Sequence, residues 1–335
     1  MKRQNKIFLG MALAAAMLPM AACTDDVPQT VRLEVSTETA GAKMTLGSDR
    51  YTYFEEGDIV KINNQPYALA SDGSGGYHWA DVQFPQEGNC YTAFFPASLQ
   101  ARDLQSFNGT VSGNYINRTV RVIFPRKYDY NPASPDKIDI PMVALEKLSS
   151  TRLKFYHVGA VIGLTIDNQA TGQMGNIGQV KIDSVRFTIS NDGNGTKGDL
   201  SGEFAVEFRN GSLYNVISQA WVESSLYPGR KNVSVHLNPN NNIVSNVPMT
   251  IPVPTPRVKK DATLTLTLYG KNRLTTAQTS NWSSFTYSAD YTLTQAITRN
   301  QYVSATATLN GEGMNFFMFI DDNGIEDHNN NGNLW

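Results

Sequence analysis

The 335-residue chain is 41% hydrophobic and 17% charged, which is enough apolar content for one or two packed domains. A formal net charge of −2 excludes nucleic-acid binding through a broad basic surface and offers no polybasic membrane patch. Two cysteines, Cys23 and Cys90, are too few for a disulfide-stapled scaffold.

The first element is a leader. Lys2, Arg3 and Lys6 precede the apolar run IFLGMALAAAML, residues 7–18, which has signal-peptide length and is too short to cross a bilayer as a stable helix. Ala21 and Ala22 lead directly into Cys23, the pattern of a bacterial lipobox, with Met20 where Leu, Val or Ile is usual. The cysteine is then expected to carry diacylglycerol, with residues 1–22 removed. Acyl chains contribute about 0.8 kcal/mol per buried CH₂ and anchor a protein without a spanning helix. No later segment reaches 18 apolar residues. With Cys23 acylated, Cys90 has no disulfide partner within the chain. Thr24, Asp25 and Asp26 resemble the short acidic signal that sends lipoproteins of Bacteroidetes-type bacteria to the outer surface; a solvated charged tether is the simpler alternative.

The body reads as β throughout. VRLEVSTE places Val31, Leu33 and Val35 on one face and Arg32, Glu34 and Ser36 on the other. DIVKIN, KIDSVRFTIS, EFAVEF, NVSVHLN, ATLTLTLYG and QYVSATATLN follow, separated by turn clusters such as DGSGG, NDGNG, RNGS and NPNNN. This spacing of short strands predicts an all-β chain of antiparallel sandwiches. LKFYHVGAVIGLTI, residues 153–166, is apolar at nearly every position, as in a strand buried on both faces. Pro248, Pro252, Pro254 and Pro256 assign VPMTIPVPTPR to a connector or a sheet edge. The expected organisation is a leader over 1–22, a tether with an N-terminal strand over 23–50, a sandwich over 51–148, and a second over 149–335 with a polar tail.

FEEGDIVKINNQPYAL, YTAFFPAS, LKFYHVGAVIGLTIDN and LSGEFAVEF occur in that order behind the lipobox, and together they resemble the fimbrillin-like lipoproteins. These are pilins and accessory subunits of the type V pili of Bacteroides-type anaerobes. The resemblance implies two transthyretin-like β-sandwich domains in tandem and export as a lipoprotein. It also implies cleavage by an arginine-specific protease in the loop after the first strand, with the vacated groove filled by a strand of the next subunit.

The residues can be tested against that scheme. A removed strand exposes unpaired N–H and C=O groups above an apolar trough, an edge that invites another chain. Val31, Leu33 and Val35 suit the leaving strand. TAGAKMTLGSDRY is small, polar and basic, as a cleavable loop requires, and ends in Arg50, with Tyr51, Tyr53 and FEEGD read as the start of the next strand. Arg32 is the alternative cut, less accessible within its strand. NFFMFID supplies a candidate donor, with Phe316, Met318 and Ile320 on one face and Phe317 and Phe319 on the other. Apolar character on both faces suits either a core strand or a segment packed between subunits.

Other motifs lack their context. Gly193, Gly195 and Gly198 match GxGxxG, but a strand follows them rather than a helix. His78, His157, His236 and His328 are scattered, and His157 reads as a core residue. Carboxylate neighbours such as Glu55 and Glu56 define no acid–base pair, and no nucleophile motif occurs, so no enzyme and no cofactor is expected. In the tail, Asp327, Asn329, Asn331 and Gly332 copy the opening of a calcium loop, yet the chain ends at Trp335 before its bidentate acid. A polar tail accounts for them more simply. The sequons at Asn108, Asn117, Asn194, Asn210, Asn232 and Asn281 read as turn chemistry, and DSV at Asp183 fits a short O-glycosylation pattern only inside a strand.

The function expected is a lipid-anchored subunit at the cell outer membrane, or in a fimbrium once processed, acting in adhesion. Its partners would be other pilus subunits, in homo- or heteropolymers, and host or bacterial surface receptors or glycans, with no nucleic acid. The alternative is an outer-membrane glycan-binding lipoprotein, with Trp282, Phe285, Tyr287 and Tyr291 as a stacking platform.

Overall fold

A computed structural model of the protein describes residues 30–37, 54, 56–73, 77–83, 90–98, 101–104, 118–133, 140–169, 177–189, 199–209, 212–218, 231–244, 247–274, 281–310 and 313–320. The strands are β1 Thr30–Thr37, β2 Ile59–Ile62, β3 Gln65–Ala68, β4 Ala70–Ser71, β5 Tyr77–Gln83, β6 Cys90–Phe95, β7 Ala101–Leu104 and β8 Arg118–Phe124. Next come β9 Lys127–Tyr130, β10 Met142–Lys147, β11 Arg152–His157, β12 Ala160–Asn168, β13 Ile177–Ile189, β14 Gly202–Arg209 and β15 Ser212–Ser218. The last are β16 Asn232–Leu237, β17 Ile243–Val244, β18 Met249–Thr255, β19 Thr263–Leu274, β20 Ser283–Thr292, β21 Tyr302–Leu309 and β22 Met314–Ile320. Among the described residues there is no helix, and the fold is all-β.

These strands form four sheets, ordered β3-β2-β6-β10-β11-β1-β5-β4, β15-β14-β8-β7, β18-β12-β21-β22 and β20-β19-β13-β16-β9, with β17 attached to β13. Most pairings are antiparallel, as the turn-rich sequence leads one to expect. Three are parallel: β1 with β11, β12 with β21 and β16 with β9. Parallel neighbours cannot be joined by a tight turn, so each of these pairs records a long-range docking that local spacing does not reveal.

The alternation of side chains explains the layering. In β6, Tyr91, Ala93 and Phe95 enter the main core while Cys90 and Phe94 enter a second cluster. Met142 and Ala144 of β10 divide from Val143 and Leu145 in the same way. The second cluster is completed by Val120, Val122 and Phe124 of β8 with Phe204, Val206 and Phe208 of β14. The eight-stranded sheet is therefore covered on both faces at its centre. Elsewhere, Phe187 of β13 lies 6.0 Å and Tyr291 of β20 6.2 Å from Phe316 of β22 (ring centroids), so the two remaining sheets face each other.

The apolar run over 153–166 is buried as expected, but it makes two strands rather than one. β11 belongs to the eight-stranded sheet and β12 to a different one, so the chain changes sheets at Val158 and Gly159. Strand pairing does not mark the 148/149 division: β10 and β11 pair across it, β8 pairs β14, and β9 pairs β16. The proline-rich β18 is a sheet edge, as its residues require. Of the stretch expected to open the next strand, Tyr51, Tyr53 and Glu55 lie outside the described residues; Phe54 enters the core, Gly57 takes a positive φ of 90°, and the next described strand begins at Ile59. The two-residue β2–β3 turn uses Asn63 and Asn64, with φ of 49° and 67°, the twist that suits a tight hairpin.

Candidate functional site

β1 lies between β11 on one side and β5 on the other, inside the largest sheet. Its register on β11 aligns Glu34 with Arg152, and on β5 Leu33 with Trp79 and Glu34 with His78. Leu33 is fully buried, Val31 is half-buried against the core, and Arg32 and Glu34 are exposed. These placements match the alternation in the sequence; the side chain of Val35 lies outside the described residues.

A bulge in β5 tunes this pairing. Val31 faces Val82 and Leu33 faces Trp79, so β5 spends one extra residue between them, and Asp81 absorbs it with a φ of 53°. The insertion lets both Trp79 and Val82, three apart in sequence, turn towards the core. Trp79, the cross-strand partner of Leu33, belongs to an aromatic group in the same core. Phe54 stands edge-on to Trp79, Phe95 and Phe155 at 6.2, 5.4 and 5.2 Å, and Trp79 is 5.8 Å from Phe155. Each such pair contributes about 0.5–1.5 kcal/mol beyond its buried area.

The outer side of β1 is polar. Arg152 Nη2 donates to Glu34 Oε2 at 2.8 Å, and the Glu34 amide donates to the Thr151 carbonyl, also at 2.8 Å. Both side chains of the ion pair are more than half exposed, so it fixes register more than it stabilises. Nearby, burial pushes the Glu146 carboxyl of β10 above its ordinary pKa, against the opposing pull of the Lys154 amide and the Lys154 and Lys147 ammonium groups. Burial likewise raises the Tyr91 phenol.

β22 is the contrasting surface. Among the described residues it is the edge of its sheet and pairs with β21 alone. Phe316 and Met318 are buried and Ile320 is half-buried, whereas Phe317 and Phe319 are 63% and 68% exposed. The strand expected to suit the core is thus buried on one face only, and among the described residues no layer covers the other. A central strand does not describe it, because β22 stands at the end of its sheet.

The remaining sequence candidates separate from this geometry. Cys23, Thr24, Asp25, Asp26 and Arg50 lie outside the described residues, as do Gly193, Gly195 and Gly198 and the tail positions Asp327, Asn329 and Asn331. Arg32, the alternative cut, has an exposed side chain and lies in β1 between Val31 and Leu33, which pair with Val82 and Trp79 of β5. Cys90 is buried in β6, and His157 is fully buried at the end of β11. Among the described residues no three metal-ligating side chains gather, and no helix is long and apolar enough to cross a membrane.

The aromatic platform is corrected. Phe285, Tyr287 and Tyr291 turn inward on β20 and pack against the core, with Phe285 stacked on Tyr287 at 4.5 Å. Phe285 covers Gly270, its cross-strand partner, where a Cβ would collide with its ring. Trp282, just before β20, meets Lys181 and Arg273 instead. Sequence reasoning missed that grouping because its three members come from two adjacent strands and the approach to a third.

No family model matches the chain, and no curated protein matches it. Solved structures to which the chain is similar include a proposed cell adhesion protein of Bacteroides uniformis at 13% identity and TM-score 0.42, covering 88% of this chain and 97% of that one. A fimbrial protein of Bacteroides vulgatus is similar at 10% identity and TM-score 0.42, covering 87% of this chain and 98% of that one. The tip fimbrial protein Mfa3 of Porphyromonas gingivalis is similar at 8% identity and TM-score 0.29, covering 87% of this chain and 99% of that one. At TM-scores this low the likeness carries no argument about what this chain does.

Proposed function

We propose that the protein is a structural subunit of an adhesive surface fibre, anchored to the outer membrane through a lipid on Cys23 until it is processed. In this reading a cut at Arg50 frees the segment that carries β1. The vacated slot then takes a strand from a neighbouring subunit, with β22 the donor and Phe316, Met318 and Ile320 entering the trough. The chain builds and adheres; it performs no catalysis.

One observation carries the reading. The first described strand occupies an interior place in the largest sheet, between β11, which carries the buried Phe155, and β5, which carries the buried Trp79. Its loss would leave β5 and β11 as facing unpaired edges with fully buried aromatics newly in water. Such an edge is completed most readily by another extended chain of alternating pattern.

The test uses the full chain with an arginine-specific protease. Wild type should acquire a new N-terminus at Tyr51 and form ladders on unheated gels, and Arg50→Ala should abolish both. Cleavage at Tyr51 that leaves a monodisperse monomer would overturn strand exchange; a surviving precursor N-terminus on cells would overturn processing. Loss of palmitate labelling in Cys23→Ala checks the anchor.

A further inference from the structure

The outer face of the β20-β19-β13-β16-β9 sheet ends, beside the β19–β20 connection, in cations gathered round one indole. Lys181 Nζ lies 4.6 Å and Arg273 Cζ 5.0 Å from the centroid of the Trp282 ring. Lys271 is exposed and stands directly opposite Lys181 across β13 and β19. Like charges directly opposite destabilise a sheet, and a fold usually relieves them with a carboxylate.

Among the described residues none is supplied here. The described strand residues at this end of the sheet, 177–182 of β13, 243–244 of β17, 269–274 of β19 and 283–289 of β20, contain no Asp or Glu, nor does Trp282. Among the described residues none of the three cations has an ion-pair partner. The next carboxylate along β13, Asp183, accepts from Asn242 Nδ2 at 3.3 Å. The cation–π contacts contribute about 0.5–1 kcal/mol each at an exposed site; they account for Lys181 and Arg273 but not for Lys271. A repulsive triad left uncompensated on a chain of net negative charge is a site prepared for an anion.

We infer that this corner binds an acidic saccharide, a uronate or a sulfated sugar. Lys181, Lys271 and Arg273 hold the anionic group, and the half-exposed Trp282 ring offers a surface for the sugar's apolar face. Ser284, the partner of Lys271 on β20, and Thr286 extend from the cluster as exposed hydroxyls that can bond to sugar hydroxyls. A nucleic acid fits less well. Single strands require a track of phosphate contacts and several stacking rings, whereas β20 continues into Ser288 and Asp290. β1 and β22 contribute nothing to this corner, so its success or failure is independent of strand exchange.

The experiment titrates the full, unprocessed chain with polygalacturonate and with heparin, against neutral dextran and oligothymidylate. Both acidic polysaccharides should bind, more weakly at higher salt, and dextran should not. Trp282→Ala should weaken binding about tenfold, the equivalent of about 1.4 kcal/mol, with Trp282→Phe recovering part of the loss. Lys271→Glu should abolish binding while raising the melting temperature, since it breaks the like-charge pair; its exposed position keeps it informative if the Trp282 variant fails to fold. Lys127→Ala, on the far strand of the same sheet and paired to Asp129 at 3.1 Å, should bind as wild type. Equal binding of dextran, tighter binding of oligothymidylate, or a Lys271→Glu variant that binds normally would overturn the assignment.

Discussion

β1 and β22 are both short, extended and apolar, yet they are built on opposite rules. β1 alternates strictly: Val31 and Leu33 face the core, while Arg32 and Glu34 face water. A one-residue slip would bury two charges, so its register is fixed by its own composition. β22 carries large apolar groups on both faces, with Phe316 and Met318 in and Phe317 and Phe319 out. The same slip there exchanges one apolar set for another at little cost. A strand of the first kind marks its place in a sheet. A strand of the second kind tolerates several places, which suits a segment that serves in its own subunit and then in another.

That difference can be broken by substitution. The largest effect is expected at Leu33, fully buried and paired with Trp79 of β5. Leu33→Ala should cost about 2–5 kcal/mol in urea unfolding of the precursor, and Leu33→Asp should prevent its folding. A small effect of either would mean that β1 contributes little to the sheet. Next is the two-faced strand: Phe316→Ala should cost about 3 kcal/mol, whereas Phe317→Ser and Phe319→Ser should change monomer stability by no more than about 0.5 kcal/mol. If the two outward variants also leave fibre ladders intact, the exposed phenylalanines have no part in assembly.

Smaller still is the polar side of β1. A double-mutant cycle on Glu34 and Arg152 should give a coupling of about 0.2–1 kcal/mol, diminished by salt. A larger value would make the ion pair a structural lock rather than a register mark. The smallest expected effect concerns Glu146. Because burial raises its folded-state pKa, the folded form holds that proton more tightly than the unfolded chain. Its contribution is therefore fully present below the ordinary carboxyl pKa and is lost as pH rises through the raised folded value. Glu146→Gln should accordingly raise the melting temperature near pH 7 and change it little near pH 4.

Part of this was legible in the residues. Leu33 inward with Glu34 outward, His157 in the core, β18 at an edge and two-faced burial around residue 160 all follow from local alternation and proline chemistry. Partner choice was not legible. Nothing near Val31 announces that β1 lies parallel to a strand that starts at Arg152, nor that 153–166 splits between two sheets. The bulge at Asp81 disguised Trp79 and Val82, because an inward spacing of three is not the signature of a plain strand. Three aromatics of β20 were misread as a surface platform for a related reason: period-two patterning fixes that they share a face, but not which face is covered.

The sequence by itself determined the all-β class of the chain and the alternation of its strands, because these depend on neighbours along the chain. Tertiary structure alone decided which strands pair, that β1 is interior while β22 is an edge, and that Lys181, Lys271, Arg273 and Trp282 meet. Those outcomes depend on hydrogen bonds and packing between segments far apart in sequence, where a residue's own type sets its preference for burial but not its partner.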